Sequence, residues 1–133
     1  MSLQKPPKWL RREAILILHD ESLAEHGGAI GIRDPGLLES ALARPENLFA
    51  YGEPDIFDLA GVYAAGIVKN HPFVDGNKRT GFLAAAVFLE INGFTLRAGE
   101  ADATLKTIAL AASEISDDAC ALWLRENSTP NDA

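Results

Sequence analysis

The side chains best suited to chemistry lie in one short segment, residues 71–80, which combines a histidine, a carboxylate, two cations and a glycine. His71 is a natural proton acceptor at neutral pH, because an imidazole has an unperturbed pKa near ~6.5. Asp75 is a lone carboxylate of the kind that suits Mg²⁺, which completes its coordination with phosphate oxygens and water. The segment therefore supplies a candidate base and a candidate metal ligand in one loop.

The residues that follow this loop, 81–89, carry no charged side chain, which indicates a helix buried in the middle of a domain. The free N–H groups in the first turn of such a helix, with the positive end of its dipole, form an anion site. Lys78 and Arg79 add positive charge there, and Gly76 lets an oxyanion approach the backbone because it has no side chain. The combination predicts phosphoryl or nucleotidyl transfer from a nucleotide to a hydroxyl.

Each of these residues also has a purely structural interpretation. Asp75 alone is more often the N-cap of the following helix than a metal ligand, and Lys78 and Arg79 alone are more often a solvated face. A single histidine is more often structural than catalytic. Their combination in one short run, joined to a helix too apolar to be exposed, favours function for the group.

The run HPFVDGNKRT at residues 71–80 resembles the signature of the Fic/Doc superfamily, H-x-F-x-D/E-G/A-N-G/K-R. The segments GIRDPGLLESA at 31–41 and FLEING at 88–93 are similar to the Doc branch, so that the resemblance covers about residues 13 to 125. It implies that His71 is the base on the target hydroxyl, that Asp75 binds Mg²⁺ and that Phe73 anchors the loop in the core. It also assigns a group of residues to the phosphates of ATP: Gly76, Asn77, Lys78 and Arg79.

Two departures from the Fic pattern decide between the branches. Fic adenylyltransferases have glycine where this chain has Lys78, and a second arginine, which holds the outer phosphates of ATP, where it has Phe82. The resemblance therefore implies a Doc-like toxin, a protein kinase that transfers the γ-phosphate of ATP to a Thr or Ser hydroxyl of elongation factor Tu and arrests translation. The alternatives are Fic-type nucleotidyl transfer to a protein hydroxyl and a non-catalytic binding module with the same fold.

The chain lacks the S/T-x-x-x-E-G/N string with which many Fic enzymes inhibit themselves. The resemblance then implies inhibition by a separate antitoxin, whose peptide binds as a helix in a groove.

The composition predicts one domain over residues 1–133, with flexible ends at about 1–7 and 127–133. A net charge of -7 argues against direct nucleic-acid binding, and no apolar run approaches the ~20 residues that span a membrane. Nothing resembles a signal peptide, so we expect a cytoplasmic protein. The single cysteine, Cys120, is expected to be buried or half-buried in a helix.

Hydrophobic periodicity predicts an all-α domain, a compact six-helix bundle around a buried central helix at about residues 76–92. The first helix begins near Lys8, and its His19 is interpreted as a structural group. A short helix from Pro35 stops at Arg44-Pro45, before a surface segment at 45–55 that by resemblance forms a flap over the active site. Three further expectations concern the helices. Asp55 caps the third helix, and Gly61 and Gly66 of that helix pack against the central helix. Leu105 and Ile108 lie on the apolar face of the fifth helix.

Overall fold

A computed structural model describes residues 3–131. The described residues contain six helices and one two-stranded antiparallel sheet, and none of these helices is long and apolar enough to cross a membrane. The predicted all-α class and the central helix at about 76–92 are confirmed. In chain order the elements are α1 (Arg12–His26), α2 (Pro35–Tyr51), α3 (Ile56–Asn70), α4 (Asn77–Ile91), β1 (Phe94–Leu96), α5 (Glu100–Ala111), α6 (Asp117–Glu126) and β2 (Ser128–Pro130).

The centre of the fold is the pair α3 and α4. α3 buries 12 of its 15 residues and is the more completely buried of the two. It begins at Asp55, whose carboxylate accepts a hydrogen bond from the N–H of Asp58 at 2.8 Å, while the Asp58 carboxylate accepts from the N–H of Asp55 at 2.9 Å. This reciprocal pair satisfies two N–H groups at the helix start and confirms the predicted cap.

The close approach of α3 and α4 depends on Gly81 of α4. A Cβ placed on Gly81 would lie 2.6 Å from Cγ1 of Val68 and 3.1 Å from the backbone oxygen of Ala64, both in α3. The expectation that Gly61 and Gly66 pack against the central helix is wrong, because these glycines face other neighbours: Gly66 faces α2 and Gly61 faces α6. Other helices pack around α3 on several sides, and its small residues allow close approach to more than one of them.

Replacing Gly81 with alanine is expected to lower the free energy of unfolding by about 1–3 kcal/mol, because the added methyl group has no room between two packed helices. The helix propensity of alanine, worth up to ~1 kcal/mol, offsets only part of this loss. Gly61→Ala is the matched control, since its Cβ would meet its nearest atoms at 3.4–3.6 Å, an ordinary contact distance. Urea denaturation should show the control to be as stable as the wild type or more stable; equal stability of the two variants would contradict the packing argument.

α2 does not end at Arg44-Pro45, as predicted, but continues through Pro45 to Tyr51. A proline inside a helix removes one hydrogen bond and costs ~3 kcal/mol, which made it a reasonable stop signal. Here the proline ring is fully buried, and Leu48 and Phe49 of the additional turn pack against the core. Burial of apolar surface offsets the lost hydrogen bond, so most of the expected surface segment at 45–55 is helix.

α5 does not turn its predicted face to the core. Leu105 and Ile108 are 66% and 46% exposed, whereas Ala103 and Leu110 are buried. Each pair lies on one face of the helix, because α5 carries small or apolar residues on more than one side. Hydrophobic spacing alone therefore could not predict which face is buried. α1 begins at Arg12 instead of Lys8, and the residues that it buries are Ile15, His19, Ser22 and Leu23.

The chain end folds back onto the segment that follows α4. β2 pairs with β1, and the N–H groups of Arg97 and Asn131 donate to the backbone oxygens of Asn127 and Gly93. Residues 127–131 of the end that was expected to be flexible therefore take part in regular backbone pairing, while residues 132 and 133 lie outside the described part of the chain. Each strand has only three residues, too few for a local pattern to predict which segments pair.

All six helices contribute to one hydrophobic core, and Leu3 packs against it. Of residues 1–7, which were also expected to be flexible, Leu3 donates its N–H to the backbone oxygen of Pro54, and residues 1 and 2 lie outside the described part. Cys120 is buried in α6, as expected, and burial together with the charge of Asp117 raises the pKa of its thiol to about 11.

Candidate active site

His71 is the residue at which α3 ends. It adopts a left-handed conformation with φ 55° and ψ 53°, and its N–H donates to the backbone oxygen of Ile67. Pro72 disfavours the right-handed helical conformation at the residue before it, so the sequence itself stops the helix here. The turn leaves the histidine exposed at the end of a rigid, buried helix.

Phe73 fixes the loop in the core, as the resemblance implied. Its side chain is fully buried and stacks on His19 of α1, with the ring centroids 3.8 Å apart. Nε2 of His19 donates to the backbone oxygen of Asp75 at 2.8 Å; because a carbonyl only accepts, this nitrogen carries the proton. The structural interpretation of His19 is confirmed.

The Asn77 side chain holds the loop together from the inside. Its Oδ1 accepts the N–H of Phe73 and its Nδ2 donates to the backbone oxygen of Phe73, both at 2.9 Å. The side chain is only 3% exposed, and the two bonds satisfy backbone groups that would otherwise be buried without partners. What Asn77 can still offer to a ligand is its main-chain N–H at the start of α4.

Asp75 does not cap α4, which corrects the structural interpretation of this residue. The N-cap is Gly76, in a left-handed conformation with φ 79° and with no side-chain cap. Instead, Oδ2 of Asp75 accepts a hydrogen bond at 2.9 Å from the N–H of Ala29, in the glycine-rich loop after α1. Its other carboxylate oxygen has no hydrogen-bond partner among residues 3–131.

The first turn of α4 forms an uncovered cluster of N–H groups. Thr80 is the first residue of this helix whose N–H finds a backbone acceptor, the oxygen of Gly76 at 2.9 Å. Within the described residues, the preceding N–H groups of Asn77, Lys78 and Arg79 have no hydrogen-bond acceptor. With the exposed side chains of Lys78 and Arg79 beside them, they form a site for a negatively charged group.

These residues line one cavity of about 550 Å³, a typical size for a small-molecule site. Six of the residues singled out from the sequence meet there, on one side of the cavity: His71, Asp75, Gly76, Asn77, Lys78 and Arg79. The opposite side comes from α4, α5 and the segment between β1 and α5, and it includes Phe82, Ala98, Ala103 and Ile108. No residue of the expected flap at 45–55 lines this cavity.

The segment that does run beside the loop at 71–80 is the glycine-rich stretch at 27–34, to which the sequence analysis assigns no role. Ile32 forms an isolated antiparallel bridge with Phe73, and the N–H of Val74 donates to the backbone oxygen of Gly31 at 3.0 Å. The side chain of Arg33 reaches the end of α3, where Nε donates to the oxygen of His71 at 2.7 Å. Gly27, Gly28 and Gly31 adopt positive φ angles, which allow the stretch to follow this course. No sequence pattern links the stretch to His71.

A family model described as the Fic/DOC family matches residues 9–89 of the chain. The chain belongs to the Fic/Doc family. It is 35% identical over 114 residues to Protein kinase doc of Escherichia phage P1, in an alignment that covers 85% of this chain and 90% of that protein. It is also 45% identical over 75 residues to Toxin Doc of Mycolicibacterium smegmatis, covering 54% of this chain and 57% of that protein. The Fic/Doc resemblance inferred from residues 71–80 and its assignment to the Doc branch are thereby confirmed.

Proposed function

We propose that the protein is a Doc-like toxin and a protein kinase, which transfers the γ-phosphate of ATP to a Thr or Ser hydroxyl of a translation factor and so arrests translation. Elongation factor Tu is the expected target. The observation that carries this proposal is that the His71 imidazole and the uncovered N–H groups of α4 line the same cavity. A base beside an anion site is the minimum that phosphoryl transfer requires.

In the proposed reaction, His71 acts on the target hydroxyl and the start of α4 acts on the phosphates. The imidazole of His71 accepts the proton of the target hydroxyl, whose oxygen forms a bond to the γ-phosphorus. The bond between this phosphorus and the oxygen that bridges it to the β-phosphate breaks, and ADP leaves. The N–H groups at the start of α4, with the cations of Lys78 and Arg79, stabilise the negative charge of the phosphates throughout.

Asp75 has the properties expected of a Mg²⁺ ligand. Its carboxylate lines the cavity, and the hydrogen bond from Ala29 orients it while leaving one oxygen without a partner among residues 3–131. The described residues contain no cluster of three or more metal-ligating side chains, which fits an ion that takes most of its ligands from phosphates and water. Bound there, Mg²⁺ would neutralise charge on the phosphates.

Phe82 favours phosphoryl over nucleotidyl transfer. It lines the cavity at the position where Fic adenylyltransferases have the arginine for the outer phosphates, and Ala98, Ala103 and Ile108 extend the apolar surface around it. Phosphate oxygens placed against these apolar side chains would lose hydration without gaining a partner, whereas a nucleobase would lose little. The threonine hydroxyls on the same side already donate to backbone oxygens of α5. We therefore infer that the terminal phosphate lies at the start of α4 and the nucleoside lies towards α5.

The decisive experiment uses ATP labelled in either the γ- or the α-phosphate, with Mg²⁺ and purified elongation factor Tu. We expect label on the factor only from γ-labelled ATP. Label from α-labelled ATP would instead establish nucleotidyl transfer. Absence of both labels, together with undiminished toxicity of His71→Ala, would identify a non-catalytic binding module.

An antitoxin peptide that binds as a helix in a groove is the partner that we propose for this toxin. The similarity to proteins named as Doc toxins supports the pairing, and the exposed Leu105 and Ile108 of α5, beside the cavity, offer apolar surface for such a helix. The proposed target places the activity in the cytoplasm. A purified complex with the neighbouring gene product should lack phosphoryl transfer, and an active complex would rule out this mode of inhibition.

A further inference from the structure

Arg33 contacts the end of α3 with both its main chain and its side chain. Its N–H donates to the backbone oxygen of Pro72 at 2.7 Å. Its guanidinium donates twice, from Nε to the oxygen of His71 at 2.7 Å and from Nη2 to the oxygen of Asn70 at 3.0 Å. These bonds hold three consecutive residues of the catalytic turn from one side.

We propose that Arg33 is a positioning residue that fixes the turn on which His71 stands. This inference rests on the proposed function for its effect on rate, although the contacts themselves do not depend on the reaction. Arg33 touches no proposed reacting atom, and it does not line the cavity. It acts through the backbone of His71.

The turn needs such support for two reasons. The last carbonyl groups of a helix have no partners within the helix, and a cation near them interacts favourably with the helix dipole. The left-handed conformation of His71 is also disfavoured for a residue with a side chain, so it persists only where contacts hold it. The planar guanidinium holds two neighbouring carbonyls with a fixed fork of donors, whereas the three donors of a lysine ammonium sit on one freely rotating nitrogen and fix their geometry less well.

The far side of the turn is held independently. The side chain of Asn70 donates from Nδ2 to the backbone oxygen of Leu37 in α2 at 2.9 Å. Loss of Arg33 therefore frees the turn without unfolding it, and because Arg33 is exposed, its two carbonyl partners can turn to water at little cost in stability. A misplacement of the base by ~1 Å can nevertheless cost ~10²-fold in rate.

The first test compares Arg33→Ala, Arg33→Lys and the wild type in the γ-phosphate transfer assay. We expect Arg33→Ala to lower kcat about 10²-fold with the KM for ATP within about two-fold, and Arg33→Lys to fall between them. Methylguanidine added to Arg33→Ala should restore part of the rate by occupying the vacated position. Arg12→Ala is the matched control, since that guanidinium bonds Glu39 on the surface at 2.9 Å.

The outcomes separate positioning from other roles. A raised KM for ATP with an unchanged kcat would show that Arg33 contacts the nucleotide, and an unchanged kcat and KM would overturn the proposal. A large fall in thermal stability without rescue by methylguanidine would assign Arg33 a merely structural role.

A second readout needs no activity. The N–H of His71 donates to the oxygen of Ile67, and its hydrogen exchange, followed by NMR, reports how firmly the turn is held. We expect about ten-fold faster exchange in Arg33→Ala, with the amide of Tyr63 in the middle of α3 unchanged. Unchanged exchange at His71 would overturn the positioning role, whatever the reaction. Faster exchange in a protein that transfers no phosphate would leave the positioning role standing and refute the proposed function alone.

Discussion

Replacing His71 with alanine is expected to lower the rate of γ-phosphate transfer about 10²–10⁴-fold, the range typical of a lost general base. The KM for ATP should change little, because the proposed phosphate contacts come from the start of α4. The folded state should also be unaffected, since the imidazole is exposed. Single-turnover transfer of labelled phosphate to the target protein measures the effect, and growth arrest on expression should disappear with it.

The control for this experiment is His26→Ala. His26 is exposed in the last turn of α1 and does not line the cavity, so its loss should leave both transfer and toxicity intact. If His71→Ala retained a rate close to that of the wild type, the target hydroxyl would have to lose its proton to another group, and the role proposed for His71 would be wrong.

Replacing Asn77 with leucine is expected to lower the free energy of unfolding by about 2–5 kcal/mol. Leucine has a similar size but no polar atoms, so the N–H and the C=O of Phe73 would both lose their partner in a buried site. Each unsatisfied backbone group costs ~1–3 kcal/mol. Urea denaturation at neutral pH measures the loss.

Asn92→Leu provides the matched control. The Asn92 amide also bonds both backbone groups of one residue, accepting from the N–H of Lys8 and donating to its oxygen, but this pair is exposed, and a further bond from Nδ2 to the oxygen of Phe88 is only partly buried. Water can replace a lost partner there, so we expect a loss of about 1 kcal/mol or less. Equal losses in the two variants would show that burial does not set the cost at Asn77.

The parts of the fold that were predictable are those specified by neighbouring residues. The capping residue of α3 and the limits of α4 follow from local patterns, and the structure reproduces them. The continuation of α2 through Pro45 could not be predicted, because the penalty of a proline is local whereas the burial that offsets it is tertiary. The face of α5 was equally undetermined, since two stripes were compatible with burial.

The candidate site divides in the same way. The residues that line the loop side of the cavity lie within one run of the sequence, so their proximity was predictable. Their supports are distant in the chain: Ala29 bonds Asp75 and Arg33 bonds His71, across separations of 46 and 38 residues. Local sequence patterns do not predict contacts over such separations. They also do not predict that the side-chain amide of Asn77 bonds the backbone of Phe73.

The glycine-rich stretch and the loop at 71–80 are joined mainly through main-chain groups, at the Ile32–Phe73 bridge and at the bonds to Pro72 and Gly31. The side chain of Ile30 is 81% exposed, whereas Cγ2 of Val74 lies close to Gly31. Evolution and engineering can therefore vary position 30 without disturbing the main-chain bonds that hold the loop of His71. The outer surface beside the candidate site and the position of the imidazole are thus separately adjustable.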